Sequence, residues 1–449
     1  MSERLVVIGG DAAGMSAASQ ARRRRPDLQI LALERGDWTS YAACGIPYLV
    51  GGEVRALGDL VARSPRQFRD NYDIDVRMRH EAVAIDRDGS EVEVRDLDGG
   101  RTVRIGFDQL MIATGATPLR PPIPGIDGAS VFGVQTLGDA ERLLDRAQSA
   151  RCEQVVVVGG GYIGLEMAEA FVQRGAQVTV VDAAPEVMRT LDPDMGALVR
   201  AAMEQHGIEV RCGVHVDGFE PGMVHLGDEQ LPADLVVLGM GVRPNSELAA
   251  AAGIPLGVAD SIIVDDRQQT EVDGVWSAGD CAQTFHRVSR RPVHVALGTV
   301  ANKGGRVAGI NLGGGDATFP GVVGTAITKL CATEIARTGL DRAECDRAGI
   351  EFEAVQIQSD TTAGYWPEAQ RMTVTMLAES GSHRLLGAQI VGGDGSAKRI
   401  DTVATALTVG FTLTEVIDLD LSYAPPFSPV WDPVQVAARQ LEKKMGGDG

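Results

Sequence analysis

Leu5-Val6-Val7-Ile8-Gly9-Gly10-Asp11-Ala12-Ala13-Gly14 decides how the chain begins. A continuous β-branched and aliphatic run of this length is the pattern of a strand buried on both faces of a parallel sheet. The glycines allow a tight turn, and the small residues Met15-Ser16-Ala17-Ala18-Ser19 continue it as a helix whose first N–H groups can face a pyrophosphate. A second apolar run, Gln29 to Leu33, ends at Glu34, twenty residues after Gly14, where a carboxylate can accept hydrogen bonds from a ribose diol. Strand, glycines, helix, strand and terminal acid in order predict a dinucleotide-binding βαβ unit. Asp11 stands where the middle glycine of the fingerprint belongs. The alternative is a plain α/β turn.

The pattern returns 150 residues later as Val155-Val156-Val157-Val158-Gly159-Gly160-Gly161-Tyr162-Ile163-Gly164, with all three glycines present. The following run Val178 to Val181 closes on Asp182. Two such units predict two dinucleotides, and hydride transfer from a nicotinamide to a flavin is the usual reason to hold both. A duplicated scaffold with one inactive site is the competing reading. Asp182 would repel a ribose 2′-phosphate, which favours NADH over NADPH, while Arg189 could offset that repulsion.

The 449 residues exceed what one hydrophobic core supports, so two to four domains are expected. Composition is globular, with 44% apolar and 23% charged residues, and 55 glycines ask for tight turns or close backbone approach in several places. A net charge of −19 argues against nucleic acid, which needs a basic face, and against an anionic membrane surface. No stretch reaches the roughly 18 apolar residues of a membrane span. The start, Met1-Ser2-Glu3-Arg4, lacks the basic and apolar regions of an export signal, so a cytoplasmic protein is expected. The six cysteines Cys44, Cys152, Cys212, Cys281, Cys331 and Cys345 are widely spaced, neither a disulfide framework nor a metal-ligand set, and no metal is expected.

Two further segments, Met111-Ile112-Ala113-Thr114-Gly115-Ala116 and Thr270 to Asp280, complete a set that resembles the pyridine nucleotide-disulfide oxidoreductase family. The resemblance implies an α/β fold with two Rossmann-like dinucleotide-binding domains, for FAD and NAD, and a C-terminal α+β dimerisation domain. It divides the chain into an FAD domain at 1–115 and 244–320, an inserted NAD(P) domain at 116–243 and a dimerisation domain at 321–449. It assigns FAD to Gly9, Ala13, Gly14, Glu34, Arg35, Val83, Ala113, Thr114, Gly115, Asp280 and Ala301. The nicotinamide dinucleotide falls to Gly159, Gly161, Tyr162, Ile163, Gly164, Glu166, Asp182 and Gly241. The run Val295 to Gly304 resembles the helix start that faces the flavin pyrimidine.

Ten residues after Glu34 lies Cys44, within Ser40-Tyr41-Ala42-Ala43-Cys44-Gly45-Ile46-Pro47-Tyr48. A thiol at a helix start beside a flavin would have its pKa lowered by the helix dipole and act as a nucleophile. The plainer reading is a small buried hydrophobe. The paired-cysteine reductases of this family carry a second cysteine five residues on, where this chain has Leu49. A lone thiol must then cycle through a mixed disulfide, a persulfide or a sulfenate. The family's peroxidases and water-forming oxidases place a histidine where this chain has Ala12. No histidine follows His383, and no cysteine follows Cys345.

The remaining match is to the coenzyme A disulfide reductase group, through Gly9 to Ala18 and Asp418 to Pro433. Tyr423 and Tyr365 match its functional tyrosines, whose hydroxyls would protonate a leaving thiolate across a homodimer interface. Ser16, Gln20, Arg22, Arg23, Ser40 and Ala43 match its coenzyme A positions, although the group has Asn where Ala43 stands. Taken bare, the tyrosines are packing residues and the arginines a solvated helix end. Cys331, with no base near it in sequence, reads as structural.

These features predict an FAD-dependent, NADH-preferring oxidoreductase that reduces a small disulfide, foremost coenzyme A disulfide, through Cys44. Ala43 and Asp11 motivate the alternative of an NADH oxidase or a polysulfide or persulfide reductase. A flavoprotein that binds NADH and signals through a partner is the non-enzymatic alternative.

Overall fold

The computed structural model describes residues 3–149 and 152–447; Met1 and Ser2, part of the start read above for an export signal, lie outside them. The strand Arg4–Ile8 is central to a five-stranded parallel sheet, flanked by Gln29–Glu34 and Gln109–Ile112, with Asp75–Met78 and Val275–Ser277 at the edges. Val6 and Val7 are fully buried, as a strand covered on both faces requires. A second parallel sheet repeats the plan around Gln154–Val158, with Gln177–Asp182 and Leu235–Leu238 beside it and Glu209–Cys212 and Val131–Gly133 outside. The third sheet is antiparallel, Ala326–Leu330, Thr333–Gly339, Leu385–Gly392, Arg371–Glu379 and Phe352–Asp360 in spatial order. Helices Ile400–Val409 and Pro433–Lys444 share its apolar core through Ile400, Val403, Val434 and Leu441. The fold is therefore α/β, two Rossmann-like units followed by an α+β unit.

The edge strand Val275–Ser277 joins the first sheet after the whole second sheet has been made, so that sheet is built from distant parts of the chain. Two features hold these parts together. Where the chain leaves and returns, Ala116–Pro118 pairs antiparallel with Val242–Pro244. Thr114 Oγ1 donates to the Asn245 carbonyl at 2.5 Å, and Asn245 Nδ2 returns a bond to the Thr114 carbonyl at 2.9 Å.

The second feature is a helix pair. Helix α1 (Ala12–Arg24) lies directly against the helix Gly298–Leu312, and the contact is made of glycine and alanine. A Cβ at Gly305 would sit 2.3 Å from the carbonyl oxygen of Ala13, and one at Gly309 would sit 2.3 Å from that of Ala17. The backbones touch, so any side chain there separates the helices. Among the described residues, no helix is long and apolar enough to cross a membrane.

Gly309→Val is therefore expected to destabilise the protein by about 1–3 kcal/mol, the usual cost of overpacking a tight contact. Thermal denaturation would register a lower melting temperature, while Gly314→Ala, at an open position with nothing nearby, tests backbone strain without overpacking.

Candidate active site

The carboxyl ends of both parallel sheets open on one cleft of about 2820 Å³, which holds both glycine turns and Cys44. At the first turn Gly9 has φ +109°, and an added Cβ would lie 2.0 Å from the Ala113 carbonyl oxygen. Gly14 does not line the cleft; it stands behind the turn, where a Cβ would meet the Gly9 oxygen at 2.0 Å. The second turn repeats this, with Gly159 at φ +105° and Gly164 behind it, where an added Cβ would lie 1.9 Å from the Gly159 oxygen. Helix α1 and the helix Tyr162–Gln173 both start without a side-chain cap, leaving their first N–H groups to a ligand.

The two terminal acids brace these turns. Glu34 accepts from Gly10 N at 2.9 Å and Gly36 N at 2.7 Å, and Asp182 accepts from Gly160 N at 2.7 Å and Ala184 N at 2.8 Å. A carboxylate oxygen has a second lone pair, so both acids can still accept from a ribose. Asp280 adds a buried oxygen, Oδ1, that has no partner in the protein. Burial raises its pKa, with nearby His294 opposing the shift. An orphaned acceptor on a cleft built for phosphates fits a hydroxyl-bearing dinucleotide such as FAD.

Ala13, Arg35, Val83, Ala113, Thr114, Gly115 and Ala301 line the same cleft, as do Gly161, Tyr162, Ile163, Glu166 and Gly241 on the second unit. The structure thus brings together most of the residues assigned to the two dinucleotides.

Cys44 sits in a short 3-10 turn, Ala43–Gly45, that runs into the helix Ile46–Gly51, and its thiol is exposed to the cleft. Leu49 is buried in the core behind it. The expected lowering of the thiol pKa is not what the structure does. Desolvation by the cleft walls raises it, Glu166, Asp280 and Asp11 add negative potential, and the backbone hydrogen bond is too weak an opposing effect. A helix start that begins with a tight turn offers little dipole to offset three carboxylates.

Tyr365 and Tyr423 are not brought to Cys44 within one chain. They lie outside the cleft, face each other, and are exposed with Phe427, Val430 and Trp431 on the antiparallel unit. Their loops are joined by Ala363 N donating to the Pro425 carbonyl at 3.1 Å.

Of the positions matched to coenzyme A, only Ala43 lines the cleft. Arg22 is engaged structurally, donating to the carbonyls of Pro26 and Asp73 at 2.5 and 2.7 Å and pairing with the Asp73 carboxylate. Arg23 is exposed, Gln20 is half-buried, and Ser40 has φ +50° with its N–H donating to the Gly10 carbonyl. Ser16 donates to Asn302 Oδ1 at 3.0 Å. Asn302 and its neighbour Lys303 do line the cleft, within the run Val295 to Gly304 read from the sequence as a flavin-facing helix start, but their meeting with Ser16, 286 residues away, was not legible there. Thr328 is a second residue sequence reasoning missed; its hydroxyl donates to Glu166 at 2.8 Å from the antiparallel sheet. Cys331 follows it, half-buried against the core that includes Leu49.

Asp11 replaces a glycine at the turn and accepts from Tyr41 N at 3.1 Å. Burial pushes its carboxyl up to about 6, Tyr41 opposes that, and Glu34 and Asp280 reinforce it. The native state then holds a proton that the unfolded state releases near the ordinary aspartate value of about 3.8, so stability falls as pH rises from there through about 6. Asp11→Asn keeps the acceptor and removes the charge. It should melt higher than wild type at pH 8, by up to roughly 3 kcal/mol in stability, with the gap closing below about pH 4. The raised Cys44 pKa predicts alkylation by iodoacetamide that rises with pH above the ordinary thiol range, and Glu166→Gln is expected to move that profile to lower pH.

Two family models match the chain: "Pyridine nucleotide-disulphide oxidoreductase" over residues 3–302 and its "dimerisation domain" over residues 325–433. The NAD(P)H sulfur oxidoreductase (CoA-dependent) of Pyrococcus abyssi is 38% identical over 445 residues, 98% of each chain. The coenzyme A disulfide reductase of Staphylococcus haemolyticus is 27% identical, over 95% of this chain and 96% of its own. Among solved structures, a NAD-dependent persulfide reductase from A. fulgidus superposes with a TM-score of 0.96 at 37% identity, covering 99% of this chain and 84% of that one.

Proposed function

The chain belongs to the pyridine nucleotide-disulphide oxidoreductase family, and from that premise we propose that it reduces the sulfur–sulfur bond of a coenzyme A disulfide or persulfide through Cys44. It is an oxidoreductase that works with FAD and a nicotinamide dinucleotide. The observation that carries the proposal is a single exposed thiol in the cleft shared by two dinucleotide turns, with a buried leucine where a second cysteine would be. We assign the flavin to residues 1–115 and 244–320, the nicotinamide dinucleotide to 116–243, with NADH preferred because of Asp182, and dimer contacts to 321–449.

FAD supplies two-electron transfer between the nicotinamide and sulfur when bound. The protein's own part is to present the nucleophile and manage protons. Cys44 Sγ attacks one sulfur of the substrate, the S–S bond breaks, and a mixed disulfide forms while a thiolate leaves. With a persulfide, attack on the outer sulfur leaves that sulfur on Cys44 and releases the coenzyme A thiolate. Two electrons then restore the Cys44 thiolate and release the second thiolate or hydrosulfide. The negative surroundings of Cys44 favour its departure from a mixed disulfide less than its protonation, so the site needs a cationic or hydrogen-bonding partner when it reacts.

In a homodimer the partner's exposed Tyr423 and Tyr365 would supply that hydrogen bond. Partial desolvation against Tyr423 and the hydrogen bond between the two phenols raise the Tyr365 pKa further above a value at which a phenol is already a protonated donor near neutral pH. Lys303 and Arg23 are the exposed cations proposed to meet the phosphates of coenzyme A, with Ser16 and Asn302 between them and the turn. Six free cysteines suit a reducing cytoplasm.

Cys44→Ser should abolish NADH-driven reduction of coenzyme A disulfide and of coenzyme A persulfide while leaving bleaching of the flavin by NADH intact. Wild-type turnover of either sulfur substrate by the Cys44→Ser protein would refute the mechanism, and the ratio of the two turnovers in wild type separates the disulfide from the persulfide. Tyr423→Phe should slow turnover by about 100-fold or more, the range of a lost general acid.

A further inference from the structure

The cleft wall beside Tyr162 is made by the second parallel unit but held by the antiparallel one. Arg337, on the strand Thr333–Gly339, is 7% exposed. Its Nη1 donates to the Thr190 carbonyl at 2.6 Å, and its Nη2 donates to the Gly339 carbonyl at 2.7 Å and to Glu344 Oε2 at 2.6 Å. Asp341, 3.7 Å away, completes the neutralisation of its charge. Two residues beyond Thr190, the Asp192 N–H donates to Gln389 Oε1 at 2.8 Å, and the Asp192 carboxylate pairs with Arg342 at 3.0 Å. Gln356 Nε2 donates to Asp194 at 3.0 Å. Four side chains of the antiparallel unit thus grip Thr190, Asp192 and Asp194.

Thr190 in turn meets the proposed nicotinamide site. Its hydroxyl donates to the Tyr162 hydroxyl at 3.5 Å, and both residues line the cleft. The Tyr162 phenol is pushed up chiefly by burial, and Arg337 and Glu344 both contribute to its electrostatic environment.

We propose that Arg337 is a positioning residue for the nicotinamide dinucleotide: by clamping the Thr190 carbonyl it sets Thr190 and Tyr162 in place, so the antiparallel unit tunes NADH binding in the neighbouring one. The inference rests on the assignment of the Tyr162 side of the cleft to NADH. The physical basis is the guanidinium fork. One planar group reaches Thr190, Gly339 and Glu344 together, whereas a lysine ammonium is a point charge that keeps the ion pair but cannot span all three. Removing the charge altogether would leave Glu344 and Asp341 facing each other, so Arg337→Lys is the informative change.

Gln389→Met is the second variant. The Gln389 side chain is 1% exposed and its Nε2 has no partner, so the substitution removes one acceptor for Asp192 N–H and an already unsatisfied donor. It lies away from the cleft lining.

Both variants are to be made in the FAD-loaded enzyme and read by NADH kinetics, by the Cys44 alkylation profile and by amide hydrogen exchange across residues 189–195. The expected result is a KM for NADH raised about fivefold, the equivalent of one lost hydrogen bond, with kcat within about twofold and the alkylation profile unchanged. Exchange across 189–195 should quicken in both. An unchanged KM in Gln389→Met and in a folded Arg337→Lys overturns the inference, as does a parallel loss of kcat, alkylation and melting temperature, which marks general damage. If Arg337→Lys fails to fold, Gln389→Met decides alone. Wild-type enzyme that accepts no electrons from NADH would overturn the site assignment itself, whereas Cys44→Ser reports only on the sulfur chemistry.

Discussion

The structure depends on the approach of two helices, α1 and Gly298–Leu312, close enough that glycine is the only residue that fits between their backbones. One helix begins at the first glycine turn and the other enters from almost 300 residues later, carrying Ala301, Asn302 and Lys303 to the cleft. Ala13 and Ala17 face Gly305 and Gly309, so there is no side chain whose rotation could absorb a misfit. The same contact fixes the distance between the first glycine turn and the wall of the cleft carrying Ala301, Asn302 and Lys303. An insertion of a complete second sheet between the two helices is tolerated because the chain leaves and returns through one short ribbon, pinned by the Thr114–Asn245 pair of hydrogen bonds.

Around that frame the cleft concentrates acids. Asp11, Glu34 and Asp280 surround the first turn, and Glu166 faces Cys44 from the second unit. This arrangement holds the thiol protonated and makes its activation depend on what enters the cleft. The −19 net charge of the chain is in keeping with this, and it makes the exposed cations Arg23 and Lys303 the more notable as places for an anionic substrate. The antiparallel unit contributes in two ways. It sends Thr328 to Glu166 and Arg337 to Thr190, which braces the Tyr162 side of the cleft, and it displays Tyr365 and Tyr423 on a face that one chain leaves uncovered.

The turns were legible because their chemistry is local: glycines, strand and acid lie within about thirty residues, and backbone sterics permit few other sequences. The thiol pKa was misread. The sequence puts Cys44 at a helix start, but the carboxylates that raise it come from positions 11, 166 and 280. The role of Arg22 was also hidden, because its partner Asp73 lies 51 residues on and converts a candidate phosphate ligand into a brace.

By itself the sequence determined the α/β class, the two glycine turns between strand and helix, the lone cysteine with Leu49 in place of a partner, and the order of the units, because each rests on residues close along the chain. Only the tertiary structure decided which acids surround the thiol, which cations remain free, that Asn302 meets Ser16, and that Arg337 reaches Thr190. Those are pairings across about 30 to nearly 300 residues. Electrostatic potential and hydrogen-bond satisfaction depend on distance in space, and no local pattern encodes that distance.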